Sequence, residues 1–372
     1  MRIVTVTHFF SAHGGGIEMV AGHLCSQWRA FGHRVVWVAS DGDTPPDGIE
    51  AMPLRSYNFI EQVTGLPMPI PSLAAMRKLW RTVCASDVVV IHDALYVTSI
   101  LAMLAAGRTR KPTVLVQHIA EIAFPNSLLR GAFRLASALV TRPMLRAAGR
   151  VVFISATTRD FFATVATKAP PLLLYNGVDG NVFHPGKSTL DSSARSTFGI
   201  PEGRKLCLFA GRFVEKKGLS VLRELARSRP DLYFVIAGRG PIDPQSWGLS
   251  NVAVCRGLSQ LSLAELYRAA DVFLLPSVGE GYPLVIQEAM ACGLPAICGE
   301  ESARADPDSS RWLTGVPVSL DSPEETARLV GVAIDGLNAS PEDRAAMAEY
   351  AARTYSWRNM AEKIIIAVEH TR

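Results

Sequence analysis

Two glutamates, Glu280 and Glu288, bracket the stretch GYPLVIQ, which runs on into AMACGLP. Pro283 suits the first position of a helix, where its missing N–H costs nothing. Gly293 followed by Pro295 then stops that helix. The spacing predicts Glu280 in the loop ahead of the helix and Glu288 within it. Loop and helix-end N–H groups between them can face an anion, which the helix dipole favours. The diphosphate of a nucleotide-sugar fits such a place, and the nearby carboxylates can take sugar hydroxyls.

A second constellation is Ala210-Gly211-Arg212-Phe213-Val214-Glu215-Lys216-Lys217-Gly218. Its glycines let the backbone turn close to a ligand, and Arg212 supplies a forked donor for phosphate oxygens. Lys217 adds a second positive charge. Gly14-Gly15-Gly16 can also present N–H groups to an anion ahead of a helix beginning near Ile17. A dinucleotide site would need a glycine where Met19 stands, so the G-x-G-x-x-G pattern fails, although Asp41 falls where a ribose-binding acid would. Asp41-Gly-Asp43 and Asp306-Pro-Asp308 are both D-x-D pairs that could hold a divalent cation, but nothing around either one supports a metal. Arg212 and Lys217 can do the cation's electrostatic work instead. His118 closes the run TVLVQ and is a candidate for contact with a transferred sugar; His8, His13, His92 and Asp93 also fall at strand ends.

These residues need a scaffold, and the chain alternates short apolar runs with helical patterns. Strands are predicted at Ile3–Val6, Val35–Ala39, Val88–Ile91, Thr113–Gln117 and Val151–Ile154. A second series follows at Leu206–Ala210, Tyr233–Ala237, Val252–Cys255, Val272–Leu275 and Pro295–Cys298. Apolar strands separated by helices mean parallel sheets covered on both faces. Two such series predict two doubly wound α/β domains: residues 1–171, residues 172–350, and a terminal helix over 351–372 that packs back on the first. The junction falls in the turn-rich stretch Leu172–Pro185, and a polar surface segment over Gly186–Gly199 follows it. Trp357 is the expected packing anchor of the C-terminal helices. Ligands bind doubly wound sheets at the carboxyl ends of their strands, so a cleft between two such domains is the expected active site.

At 372 residues the chain can bury two cores, and 48% apolar against 19% charged residues suits a globular fold. A net charge of +4 is too small to argue for nucleic acid. The six cysteines form no C-x-x-C pair and sit mostly in apolar runs, so reduced, buried thiols are expected, without zinc. The N-terminal MRIVTVTHFFSAHGGG meets glycines too early for a signal peptide. No uncharged apolar run reaches the roughly 18 residues of a membrane span. Basic residues nonetheless recur at helical spacing. Arg130/Arg134 and Arg142/Arg146/Arg150 lie among apolar residues in Ala123–Arg150, and Arg77, Lys78, Trp80 and Arg81 end the segment Tyr57–Arg81. A basic, apolar surface of this kind suits contact with an anionic membrane.

Taken together, GGGIE, YNGVDGNVFHP, GRFVEKKG, AGRGP and ADVFLLPSVGEGYPLVIQEAMACGLP resemble glycosyltransferase family 4, retaining enzymes of the GT-B fold. The pieces occur in the family's order and span nearly the whole chain. The resemblance implies a hexosyltransferase that works without a metal or other cofactor, with Arg212 and Lys217 gripping the donor diphosphate. Glu288 would bind the nucleotide ribose and Glu280 the donor sugar. Backbone around Gly211, Gly238, Gly281, Tyr282, Pro283 and Leu284 would line the donor, Gly15 and Gly16 would approach its phosphate, and His118 would contact the sugar. Attack on the same face as departure, with the leaving diphosphate accepting the acceptor's proton, needs no protein nucleophile.

The run after Cys298-Gly299, EESARADPDSSRWLTGV, departs from the family's pattern, so no role transfers to residues 299–316. The stretches IHDALYVTSILAMLAAG and VLVQHIAEIAF resemble members that extend lipid-linked glycans. With the basic segments, including Arg130, Arg134, Arg142 and Arg146, they point to a polyprenyl-diphosphate-linked acceptor at the inner face of a bacterial cytoplasmic membrane, in surface-polysaccharide or lipopolysaccharide synthesis. The donor would be UDP- or GDP-linked, GDP-mannose among them. The rival class is a nucleotide-sugar-binding scaffold without turnover, against which the retained charges argue. A phosphorylase would require a pyridoxal-phosphate lysine that no motif identifies.

Overall fold

The computed structural model describes residues 1–59, 61, 68–120, 127–186 and 192–369. Chain contacts divide it into two units, Met1–Asn176 with the terminal helix Trp357–Glu369, and Gly177–Ser356.

Among the described residues of the first unit, seven strands form one parallel sheet: β1 (Arg2–Val6), β2 (Arg34–Ser40), β3 (Glu50–Leu54), β6 (Val88–His92), β7 (Thr113–Gln117), β8 (Arg150–Phe153) and β9 (Leu172–Leu173). Their order is β3-β2-β1-β6-β7-β8-β9. A short antiparallel pair, β4 (Ser56–Tyr57) and β5 (Ile70–Pro71), stands apart. The β-branched runs of β6 and β7 are buried at every position, as strands covered by helices on both faces must be. Ser72 opens the Leu73–Cys84 helix by accepting the Ala75 N–H, which would otherwise lack a partner. The Trp357–Glu369 helix lies against Gly16–Ala30: Trp28 Nε1 donates to the Ala361 carbonyl, and Trp357 stacks on His23 with centroids 4.4 Å apart.

The second unit repeats the plan with six parallel strands: β10 (Leu206–Arg212), β11 (Tyr233–Arg239), β12 (Val252–Cys255), β13 (Val272–Leu275), β14 (Ala296–Gly299) and β15 (Leu313–Val316), in the order β12-β11-β10-β13-β14-β15. Pro341–Thr354 begins with a reciprocal capping box between Ser340 and Asp343. Both sheets are doubly wound, and both α/β cores predicted from the alternating pattern are present.

Three sequence expectations change in detail, and one stretch without an expectation gains structure. Pro283 is the N-cap, with ψ 129°, and the helix starts one residue later at Leu284. β10 and β11 run on through Gly211-Arg212 and Gly238-Arg239, which remain paired, so Arg212 leaves from a strand end rather than a free loop. The polar 299–316 run contains a short helix (Glu300–Ala303), a 3-10 turn (Pro307–Trp312) and β15. Finally, Arg130 to Arg150 is not one helical stripe. Arg130 and Arg134 lie on Ser127–Ala136, a π-turn occupies Ser137–Thr141, Arg142 and Arg146 lie on Arg142–Ala147, and Arg150 starts β8. Pro143 has no N–H to continue the ladder, and the Arg142 N–H bonds the Ser137 carbonyl five residues back, which shifts the phase of the helix. The Ile119–Phe124 and GLPMPIPS stretches fall partly outside the described residues, as does Gly186–Gly199.

All six cysteines are free, four of them buried and Cys84 and Cys255 half-buried. Among the described residues no helix is long and apolar enough to cross a membrane.

Candidate donor and sugar sites

In each sheet the chain reverses winding beside its first strand, and the gap at the carboxyl ends there is where doubly wound folds bind ligands. In the second unit that gap lies between β10 and β13. Close backbone approach builds its rim. A Cβ at Gly238 would collide with the Gly211 carbonyl on the neighbouring strand. A Cβ at Gly218, which sits at φ 79°, would strike the Pro276 carbonyl. Gly218 therefore lets the Glu215–Lys217 turn reach the segment after β13, where the Val278 N–H donates to the Lys216 carbonyl at 3.0 Å.

That contact brings the charged residues together. Lys217 Nζ lies 3.0 Å from Glu280 Oε1, with both side chains about 15% exposed (14% and 15%), and Lys216 Nζ lies 3.9 Å from the same oxygen. Arg212 is exposed at the end of β10 and makes no ion pair or side-chain hydrogen bond among the described residues. Its guanidinium is thus an unspent forked donor at the reversal point. Helix Leu284–Ala291 points its N-terminus into the loop after β13, with the positive end of its dipole there.

Glu288, in the last turn of that helix, accepts a hydrogen bond from the Tyr267 hydroxyl at 3.1 Å. Burial pushes its carboxyl up to about 7, against the lowering effect of Tyr267. The Tyr282 ring is buried, and its hydroxyl lies 2.8 Å from Tyr355 Oη in a network ending on Asp306. Asp306 is itself fully buried, capping the next turn through the Asp308 N–H and accepting from Tyr350 and Tyr355. Those bonds commit Asp306 of that D-x-D pair to structure. Ser277, just past β13, went unnoticed in the sequence; its hydroxyl is buried without a hydrogen-bond partner among the described residues. Only the strand order, which places it at the reversal point, marks it out.

In the first unit the gap lies between β1 and β6. His8, just after β1, stacks on Tyr96 with centroids 3.8 Å apart, and its Nε2 lies 2.8 Å from Glu18 Oε1. Burial pulls the Glu18 carboxyl upward, but the His8 bond and charge outweigh it, leaving a net lowering. Glu18 folds back over its own helix start, so that a Cβ at Gly15 would collide with its carboxylate, whereas a Cβ at Gly16 would meet nothing within 4 Å. The carboxylate also takes the Glu18 backbone N–H, so the helix end near GGG already faces an anion of the chain's own. Gly16 is the open part of that loop. Asp43 lies 3.6 Å from His13 Nδ1, the first D-x-D acid paired with a histidine.

His118 follows β7 and is 4% exposed, with Nε2 3.1 Å from His92 Nδ1. Asp93 stands at φ 58°, a left-handed backbone unusual for a non-glycine residue. That turn aims its carboxylate back at β7, where Oδ1 accepts from the His118 N–H (3.1 Å) and from Gln117 Nε2. Burial raises the Asp93 carboxyl to about 7 and lowers His118 to about 3, so His118 is a neutral imidazole at physiological pH. Among the described residues no cluster of three or more His, Cys, Asp or Glu could hold a metal ion.

Arg130, Arg134 and Arg146 are exposed, and Leu135 and Leu139 beside them are 60% and 66% exposed. Arg142 is half-buried, donating to Thr164 Oγ1 at 3.2 Å and lying over the Phe162 ring.

Comparison with known proteins agrees with both units. The pattern described as Glycosyltransferase Family 4 matches residues 14–181, and Glycosyl transferases group 1 matches 192–354. The chain is 27% identical over 307 residues to alpha-maltose-1-phosphate synthase of Mycolicibacterium smegmatis, covering 76% of this chain and 79% of that one. It is 28% identical over 318 residues to the GDP-mannose-dependent alpha-mannosyltransferase of the same organism, covering 82% and 81%. The fold matches Anabaena Alr3699/HepE, solved in complex with UDP, over 100% of both chains with a TM-score of 0.74 at 17% identity. With family patterns spanning most of both units and a fold to match, the chain belongs to glycosyltransferase family 4, GT-B enzymes that transfer hexose from nucleotide sugars.

Proposed function

We propose that this chain is a retaining glycosyltransferase that moves a hexose from a UDP- or GDP-linked donor without a metal or other cofactor. The observation that carries the reading is Arg212, without an ion pair among the described residues, at the same reversal point of the second sheet as the Lys217–Glu280 pair. A diphosphate leaving group develops charge as the sugar departs. Two preplaced cations and a helix N-terminus stabilise that charge without reorganisation, which is the role a divalent cation would otherwise fill. Glu288 takes ribose hydroxyls, Glu280 faces the donor sugar, and backbone at Gly211, Gly238 and Gly281–Leu284 lines the donor. In the first unit, neutral His118 hydrogen-bonds the sugar, and Gly15 and Gly16 approach the phosphate, Gly16 with the more open backbone. The acceptor hydroxyl attacks the face the diphosphate leaves, and its proton passes to a diphosphate oxygen. The bond to the anomeric carbon is replaced with retention.

A relative named for GDP-mannose and a neighbour solved with UDP support both donor classes. A thermal-shift panel of UDP, GDP, ADP and their common sugar conjugates, with and without magnesium, tests the reading. Stabilisation by one nucleotide series, unchanged by magnesium, is the expected result. A shift that requires magnesium would refute the metal-free site, and no shift from any nucleotide would favour a scaffold.

The acceptor in this reading is a polyprenyl-diphosphate-linked glycan in surface-polysaccharide synthesis, met by an enzyme held peripherally on the inner face of the cytoplasmic membrane. The exposed Arg130, Arg134, Arg146, Leu135 and Leu139 support it: guanidinium groups interspersed with apolar side chains suit an anionic interface. Flotation with liposomes containing anionic phospholipid should carry the protein upward. Reversing the charges of Arg130, Arg134 and Arg146 should abolish flotation of a protein that still folds. Absent binding, or binding indifferent to those substitutions, sinks the membrane assignment.

A further inference from the structure

We infer that His92 is a positioning residue that fixes the tautomer of His118: His92 Nδ1–H donates to His118 Nε2, leaving His118 with an Nδ1–H donor for the sugar. The inference rests on the reading that His118 touches that sugar. His92 ends β6 and is fully buried; His118 follows the neighbouring β7. Their facing nitrogens are 3.1 Å apart, with ring centroids at 5.3 Å and an interplanar angle of 31°. Burial lowers both imidazoles, and the nearby carboxylate of Glu18 is already engaged by His8, so each ring carries a single N–H. One proton lies between the facing nitrogens, and it belongs to one ring or the other.

The far side of His92 decides which. His92 Nε2 is buried and has no hydrogen-bond partner among the described residues. Were His118 the donor, His92 would have to carry its own proton on Nε2, burying an N–H with no acceptor. Were His92 the donor, Nε2 would hold only an idle lone pair. Orphaned buried N–H groups are the rarer and costlier of the two. The second arrangement therefore holds, and it gives His118 a protonated Nδ1 with no hydrogen-bond partner among the described residues. Asp93 secures the same residue through its backbone, holding the His118 N–H while Gln117 ties the carboxylate in place. A ring fixed in this way meets an oxygen acceptor with a donor at all times.

The first test leaves His92 and His118 both in place in the protein observed. Nitrogen-15 spectra of histidine-labelled protein at pH 7, with the His118 signals assigned by their loss in His118→Gln, should show Nδ1 protonated and Nε2 unprotonated. A His118 protonated on Nε2 overturns the inference. The second test uses slow hydrolysis of UDP-glucose or GDP-mannose, whichever stabilises the protein. His92→Phe keeps the ring shape and removes the donor, so His118 should become a tautomer mixture and kcat should fall about tenfold with KM within about twofold. His92→Asn, whose amide nitrogen replaces Nδ1, should restore most of the rate. A folded His92→Phe with unaltered kcat and an unaltered His118 spectrum also overturns it. If His118→Gln hydrolyses donor normally, the sugar-contact reading fails instead, while the tautomer result stands separately.

Discussion

Arg212→Ala should lower kcat/KM for sugar transfer by about 10³-fold while leaving the melting temperature unchanged. The size follows from the job assigned to the guanidinium: a preplaced donor aimed at charge that develops in the transition state contributes about 10²–10³ on its own. Losing one of two cations on a diphosphate belongs at the upper end of that range. The unchanged stability follows from Arg212 having no ion pair or side-chain hydrogen bond to lose among the described residues. Lys217→Ala provides the contrast. Its Nζ is 3.0 Å from Glu280, both groups are mostly shielded, and the substitution leaves a carboxylate with only Lys216 at 3.9 Å to compensate. That variant should lose both activity and thermal stability. Arg212→Lys should recover part of the rate, since a point charge survives but the fork does not. Near-normal transfer by Arg212→Ala would show that the diphosphate is held elsewhere.

Much of this site was legible in the sequence because its residues lie close together in the chain. Glu280, Pro283, Glu288 and Gly293 fall in one loop-helix unit, whose capping and stop signals are local chemistry, and its outline needed only a one-residue shift at Pro283. The strands of both sheets were equally readable, since burial on both faces forces nearly continuous apolar runs. What escaped were the contacts made across the sheet. His92 and His118 meet because β6 lies next to β7, and His8 meets Glu18 because the first helix folds back beside the end of β1. Strand order settles both, and composition does not encode it. Short edge strands such as β3, β9 and β15 were missed for a related reason: Glu50–Leu54 and Leu313–Val316 are mixed in burial and carry too little apolar signal. The basic stripe failed at Pro143, where helical spacing was extrapolated across a residue that cannot supply the next N–H.

Glu288→Gln should separate stability from binding through their pH dependence. Burial holds the Glu288 carboxyl near 7 in the folded chain, against 4.5 as its ordinary value. Between those two values the unfolded chain releases this proton and the folded chain keeps it, so folding takes up a proton. The contribution to stability is fully present below about pH 4.5, falls as pH rises through the window, and is gone above about 7. The whole swing is on the order of 3 kcal/mol by linkage. Glutamine has no proton to lose, so the variant should melt progressively higher than the wild type as pH goes from 5 to 8. Binding should move the other way. Ribose hydroxyls donate to a carboxylate more strongly than to an acid or an amide, so wild-type affinity for a nucleotide-sugar should rise as pH passes 7. The donor's diphosphate does not titrate in that range, so the rise reports the protein. In Glu288→Gln the affinity should be about tenfold or more weaker at pH 8 and flat with pH, because a charge-assisted hydrogen bond has been replaced by a neutral one. Calorimetric titrations of both proteins at pH 6 and 8 decide the matter. A wild-type affinity indifferent to pH, or a glutamine variant that binds as tightly at pH 8, would mean that Glu288 supports the helix through Tyr267 and leaves the ribose to another residue.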